Sequence, residues 1–151
     1  MSSTQLAYYK GASTTEWRTP QELYERLDAI WHFTLDPAAT DDNTLHWCYF
    51  TEASDGLIQD WGGHTVFLNP PYSRDVLQRW IRKAADEAKK PGTVVVCLLP
   101  AKTGPRYWQE IVIPEAAYIY FIPGRLQFGG ARGPAPFDSA IVVFGKLGGQ
   151  P

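Results

Sequence analysis

The alternation of apolar and polar positions divides the chain into periodic segments separated by Pro, Gly and acidic turns. Leu23, Leu27, Ile30 and Trp31 recur at helical spacing. In front of them Thr19-Pro20-Gln21-Glu22 has the form of a capped start, with Thr19 as N-cap, Pro20 at the first helical position and Glu22 closing a capping box. The spacing predicts a helix over 20–31. Short strand-like runs follow at Phe33-Thr34-Leu35, Trp47-Cys48-Tyr49-Phe50 and Thr65-Val66-Phe67-Leu68. A basic amphipathic helix is expected next, over about 74–90. Val76, Leu77, Trp80, Ile81, Ala84 and Ala88 form its apolar face, Ser73 caps it and Pro91-Gly92 ends it. Thr93 to Leu99 is a near-continuous β-branched and aliphatic run, which fits a central strand buried on both faces. A short helix from Pro105 holds Tyr107, Trp108, Ile111 and Val112, and Ala117–Ile122 and Ser139–Gly145 read as two last strands.

Strands alternating with helices imply an α/β domain with a mainly parallel sheet. The last two strands are joined by a Gly- and Pro-rich loop with no helix, so they are expected as an antiparallel edge strand pair. Residues 1–15 are polar and small and read as a flexible N-terminal segment, 16–146 as one domain and 147–151 as a tail, with no internal repeat.

Composition narrows the class. The 151 residues suit one core, and 44% hydrophobic with 20% charged residues is ordinary for a soluble domain. The longest apolar run, Val94 to Leu99, is far shorter than a membrane span, and the first residues lack a basic-then-apolar signal pattern. A cytoplasmic protein with no membrane partner is expected. Cys48 and Cys97 lie in apolar runs and read as buried free thiols, not as a bridge or a metal site. The net charge of −2 argues weakly against a nucleic-acid partner, but its distribution argues the other way. Residues 1–72 carry three Lys/Arg against ten Asp/Glu, and residues 73–151 carry eleven against six. Two faces with different partners follow, a polyanion meeting the C-terminal half.

The sharpest chemical signal is Asn69-Pro70-Pro71-Tyr72, at the end of one strand and the start of a helix. Neither proline can donate to a ladder, so the strand stops there, at the end where open α/β sheets bind ligands. An exocyclic amino group on a conjugated ring is a poor nucleophile because its lone pair is delocalised. Two acceptors that bind its hydrogens can turn the nitrogen out of plane and aim the lone pair at an electrophile. The Asn69 side-chain oxygen and the Pro70 carbonyl can be those acceptors, and Tyr72 can stack on the ring. Three acids stand at further presumptive strand ends or turns: Asp36, Glu52 and Asp60. The glycines of a dinucleotide fingerprint are missing.

Across roughly 16–145 the chain resembles the phage-type DNA N-6-adenine-methyltransferase (Dam) family. The residues carrying this are Trp17 with Thr19-Pro20, Leu35-Asp36-Pro37-Ala38-Ala39 with Asn43, Asp55-Gly56-Leu57 with Asp60-Trp61, and Phe67-Leu68-Asn69-Pro70-Pro71-Tyr72-Ser73. Leu99-Pro100-Ala101, Gly124-Arg125-Leu126 with Phe128, and Ser139-Ala140 complete the set. The resemblance implies a single Rossmann-like class I domain that uses S-adenosyl-L-methionine. It implies Asn69, Pro70, Pro71 and Tyr72 as the catalytic motif. It also implies cofactor contacts from Trp17, Thr19, Pro20, Asp36, Pro37, Ala38, Glu52, Asp60 and Asn69. Here Asp36-Pro37-Ala38 match the cofactor motif, without its usual following glycine; Glu52 is the ribose acid and Asp60 the adenine acid. The implied reaction is methyl transfer to N6 of an adenine flipped out of double-stranded DNA. Arg74, Arg79, Lys102, Arg106, Arg125 and Arg132 are the candidate phosphate contacts. Sequence reading falls to loops such as 124–137, to the N-terminal segment or to a second copy in a homodimer. Asn-Pro-Pro-Tyr alone fits cytosine N4, RNA adenine or protein glutamine as acceptor equally well. A catalytically weak module that binds cofactor or DNA is the reading from another class.

Overall fold

A computed structural model describes residues 17–147; the expectations for 1–15 and for 148–151 of the tail lie outside the described residues. The elements in chain order are α1 (Gln21–Trp31), β1 (Thr65–Leu68), α2 (Arg74–Glu87), β2 (Val94–Pro100), a π-helical turn (Trp108–Val112), α3 (Ile113–Glu115), β3 (Tyr118–Phe121) and β4 (Ser139–Phe144). The sheet order is β1-β2-β4-β3. β1 and β2 pair in parallel, with Thr65 opposite Val94 and Leu68 opposite Cys97. β4 runs against both of its neighbours. The α/β class therefore holds and the last two strands form the expected antiparallel pair at one edge. The sheet as a whole is mixed, because β4 turns back into the gap between β2 and β3. Two further segments join the β1 edge through single parallel bridges, Leu35 with Val66 and Asp36 with Tyr49. The expected strands at 33–35 and 47–50 are thus reduced to bridges.

Period-two alternation splits β2 between two cores. Val95, Cys97 and Leu99 face α2 and meet Leu77, Trp80, Ile81 and Ala84, together with Trp61. Val96 and Leu98 face the other way, onto Tyr24, Phe33, Phe67 and Phe128. All six predicted apolar positions of α2 are buried. At about 2 kcal/mol for each large side chain withdrawn from water, this face anchors the β1-α2-β2 unit. Of the face predicted for α1, Leu23, Leu27 and Trp31 pack half-buried against the core, while Ile30 is 70% exposed; the fully buried residue is Tyr24, packed on Phe33 and Phe67 at ring distances of 5.5 and 5.2 Å. The helix ends at His32 in the left-handed region, where the Asp28 carboxylate accepts the Phe33 N–H.

Near α3 the chain widens into a π-helical turn. Pro114 lacks the N–H that an α-turn would direct to Glu110. Cys97 is buried as expected, whereas Cys48 is half-buried. Among the described residues no helix is long and apolar enough to cross a membrane.

Candidate active site at the carboxyl ends of the strands

Three acceptor side chains follow three adjacent strand segments. Asn69 comes directly after β1. Leu35 is bridged to Val66, which sets Asp36 beside Phe67, two residues before Asn69. Asp36 is bridged in turn to Tyr49, with its N–H on the Cys48 carbonyl at 3.0 Å and its carbonyl accepting from Phe50 at 2.9 Å. Glu52 stands three residues beyond Tyr49. Parallel pairing carries all three to the same end of the sheet, the carboxyl end where open α/β sheets hold ligands.

The Asn69 side chain is held in one orientation. Its Nδ2 donates to the Trp17 carbonyl at 2.7 Å and to Thr19 Oγ1 at 3.0 Å. A flipped amide would set Oδ1 against the Trp17 carbonyl, acceptor against acceptor. Oδ1 is buried and has no hydrogen-bond partner. A buried unpaired acceptor costs about 1–3 kcal/mol, so one at a strand end marks a place where a donor binds. The same bond overturns the predicted capping box. Thr19 turns toward Asn69, Pro20 becomes the N-cap, and α1 has no side-chain cap.

Asp36 is 7% exposed, and burial pushes its carboxyl up to about 7, against the opposing pull of the Ala38 and Leu45 N–H groups. Oδ1 accepts from the Ala38 N–H at 3.3 Å, which bends the chain at once through Pro37 and Ala38. Glu52 is half-buried, and its Oε1 is a second buried acceptor without a partner. A ligand bearing an ammonium and hydroxyl groups would satisfy both carboxyls. The residues present therefore fit S-adenosylmethionine as far as their donor demand goes.

The prolines of the motif end the ladder as expected, Pro70 buried and Pro71 half-buried. Tyr72 donates its hydroxyl to the Leu98 carbonyl at 2.9 Å, and burial pushes that hydroxyl's pKa well above 10. Its ring meets Phe137 and Phe128 edge-on, at 5.7 and 6.3 Å. Tyr72 is thus a fixed, half-buried ring. Trp17 packs on the same two phenylalanines at about 5 Å. Arg18 and Gly129 form an antiparallel bridge, in which the Gly129 N–H donates to the Arg18 carbonyl at 2.9 Å.

Phe128, Phe137 and Gly129 brace the site, yet no periodicity could have assigned them to it. The signal available was composition, aromatics set in a Gly/Pro loop. Gly56 is a second brace: a Cβ there would lie 2.0 Å from the Pro37 carbonyl, so only glycine lets the two backbones touch beside Asp36.

Asp60 does not join this group. It lies before the N-terminal end of β1, where its Oδ1 accepts from Lys90 Nζ at 2.7 Å and from the Gly62 N–H at 2.8 Å. The Lys90 hydrogen bond first, and then Gly62, hold its carboxyl below the usual range. Its expected contact with the cofactor adenine is therefore withdrawn: the residue is committed to an ion pair at the far end of the sheet.

The basic candidates divide too. Arg74, Lys102, Arg106, Arg125 and Arg132 are exposed and stand in the segments that leave the carboxyl ends of β1, β2 and β3. Arg106 is paired with Glu110 at 2.9 Å. Arg79 is exposed one turn along α2. Much of the other positive charge of α2 is spent internally, Arg82 on Asp86 and Glu115, Lys83 and Lys90 on Glu87.

Residues 8–142 match the family described as DNA N-6-adenine-methyltransferase (Dam). A DNA N-6-adenine-methyltransferase of Escherichia phage T1 is 30% identical over 125 residues, covering 78% of this chain and 51% of that protein. One of Haemophilus phage HP1 is 25% identical over 114 residues, covering 74% and 65% respectively. The chain thus spans about half the length of the first relative and under two thirds of the second.

Proposed function

This chain belongs to the DNA N-6-adenine-methyltransferase (Dam) family, and on that premise we propose that it transfers a methyl group from S-adenosylmethionine to the N6 amino group of adenine in DNA. The single observation that carries the reading is Asn69 Oδ1, a buried acceptor left unpaired at a strand end while both hydrogens of its own amide are engaged. The Rossmann-like class I reading of the fold is supported by the parallel segments bearing Glu52, Asp36 and Asn69 side by side, and by β4, which among the described strands runs against the rest.

S-adenosylmethionine supplies, when bound, a sulfonium methyl group open to attack by nitrogen. The chain does the rest by holding groups in place. Asp36 takes the ammonium of the methionine part, Glu52 the ribose hydroxyls, and Trp17, Thr19, Pro20, Pro37 and Ala38 wall the space. Asn69 Oδ1 and the Pro70 carbonyl bind the two hydrogens of the target amino group and turn its lone pair out of the ring plane. Pro71 fixes the tip, and Tyr72, tied to Leu98, is the stacking face for a flipped base, whose extrusion costs a few kcal/mol. The nitrogen gains the methyl and releases a proton to water, so no dedicated base is required. Arg74, Arg79, Lys102, Arg106, Arg125 and Arg132 flank this end as phosphate contacts. The relatives' phage origin supports the cytoplasm of a host cell as the site of the reaction.

The test uses purified chain, methyl-labelled S-adenosylmethionine and unmethylated double-stranded DNA, with digestion to nucleosides. Label in N6-methyladenine from the wild type, and none from Asn69→Ala with cofactor binding retained, is the expected result. Label in RNA, in protein or at cytosine N4 instead would sink the adenine assignment.

A further inference from the structure

We propose that Thr19 is a positioning residue for catalysis, fixing the Asn69 amide and thereby joining the loop 124–137 to the reacting nitrogen. This rests on the methyl-transfer reading and deepens it, because the family resemblance had put Thr19 against the cofactor alone.

The geometry is a chain of three contacts. Thr19 Oγ1 takes one Nδ2 hydrogen of Asn69 and the Trp17 carbonyl takes the other. Residues 17–19 are held in turn by the loop, through the Arg18–Gly129 bridge and the packing of Trp17 on Phe128 and Phe137. The approach is close: a Cβ on Gly129 would sit 3.3 Å from Arg18 Cβ. Asn69 by itself follows β1, where its χ2 is a soft torsion with two broad wells. Both hydrogens of its amide are held by residues about fifty positions earlier in the chain, Trp17 and Thr19. The amide is thus aimed by a strap, and the strap is anchored by the loop that carries Arg125 and Arg132.

The orientation matters because only Oδ1 can accept the amino hydrogens of the substrate. With one of the two restraints removed, the amide samples other χ2 angles, and the fraction of encounters with Oδ1 correctly placed falls. Substrate and cofactor affinity do not depend on that fraction to the same degree. The signature of positioning is therefore a loss in kcat with little change in either binding constant.

The experiment compares Thr19→Val, which keeps shape and loses the hydroxyl, with Thr19→Ser, which restores it. For Thr19→Val, kcat on DNA is expected to fall about five- to tenfold, the size of one neutral hydrogen bond. Cofactor Kd, measured by direct binding, stays within about twofold, and Thr19→Ser recovers most of the rate. The Asn69 side-chain NH₂ resonances of labelled protein give a readout that needs no turnover: their hydrogen exchange is slow in the wild type and in Thr19→Ser, and faster in Thr19→Val. An unchanged kcat and unchanged exchange in Thr19→Val overturn the proposal, as does a weakened cofactor Kd with kcat intact, which is the result for a plain cofactor contact. The wild-type rate separates the two levels of failure. A wild type that methylates DNA with Thr19→Val equal to it refutes positioning alone; a wild type that does not methylate DNA refutes the reaction, and with it the catalytic role of the strap.

Discussion

The two ends of the sheet both carry buried acids, and they treat them in opposite ways. At the amino end Glu87 is 6% exposed and fully matched: Lys83 Nζ lies at 2.6 Å, Lys90 Nζ at 2.7 Å and the Trp61 N–H at 2.9 Å. Burial pushes the Glu87 carboxyl up, but these donors more than offset it and hold it below its usual range. At the carboxyl end Asp36 is equally buried and has only backbone N–H partners, so burial wins and its carboxyl rises to about 7. Glu52 Oε1 and Asn69 Oδ1 are unmatched there as well. Equal burial with unequal pairing separates a group that holds the fold from groups that await a ligand.

The contrast is broken most severely at Asn69. Asn69→Ala is expected to lower kcat by about 10²–10³, the scale of a lost preorganised polar contact to the reacting group, while stability falls only by the two lost Nδ2 hydrogen bonds to Trp17 and Thr19, about 1–2 kcal/mol, since the unpaired Oδ1 had no partner in the fold. Glu87→Ala is the mirror experiment. It leaves the Trp61 N–H unpaired and the Lys83 charge with only the Gln59 carbonyl as acceptor, and is expected to cost about 2 kcal/mol of stability, or about 6 °C in melting temperature for a chain of this size. At a temperature where the variant is folded, its kcat matches the wild type. A Glu87 variant that loses turnover while folded would contradict the division between the two ends.

Asp36 sharpens it through pH. Its folded pKa, about 7, lies above its ordinary value of 3.8, so the fold favours the neutral acid. The destabilisation from charging it is absent below about pH 4, grows as pH rises toward 7 and is constant above. Unfolding of the ligand-free protein is therefore expected to become easier from pH 4 to 7 on account of Asp36, and Asp36→Asn removes that part of the slope. Cofactor binding runs the other way. It needs the carboxylate, so affinity rises as pH passes 7, by up to about tenfold between pH 6 and 8, and the dependence disappears in Asp36→Asn. A wild-type affinity that is flat over this range would remove Asp36 from the ammonium site. The smallest effect belongs to the rim: Lys102→Ala or Arg125→Ala should each lower the salt slope of DNA binding by about one, with cofactor affinity untouched.

Much of this is legible in the sequence. Periodicity located α2, with all six of its apolar positions buried, and the two-faced strand β2, because both rest on patterns within one segment. The breakers Pro70 and Pro71 placed Asn69 at the carboxyl end of β1 for the same local reason. The family, too, could be read from its motifs. What the sequence could not assign were pairings between distant residues. Thr19 has every local mark of an N-cap, and it went to Asn69 because that amide was the more demanding partner. Asp60 has the look of a ligand acid after a turn, and Lys90, thirty residues on, claimed it. Ile30 fits the helical stripe, but the rings of Phe33 and Phe67 drew Tyr24 inward in its place. Spacing along a chain fixes which face a side chain shares with its near neighbours. Which buried polar atoms are satisfied depends on what the fold brings across the gap, and in this molecule that difference separates the acids of the scaffold from the acceptors of the site.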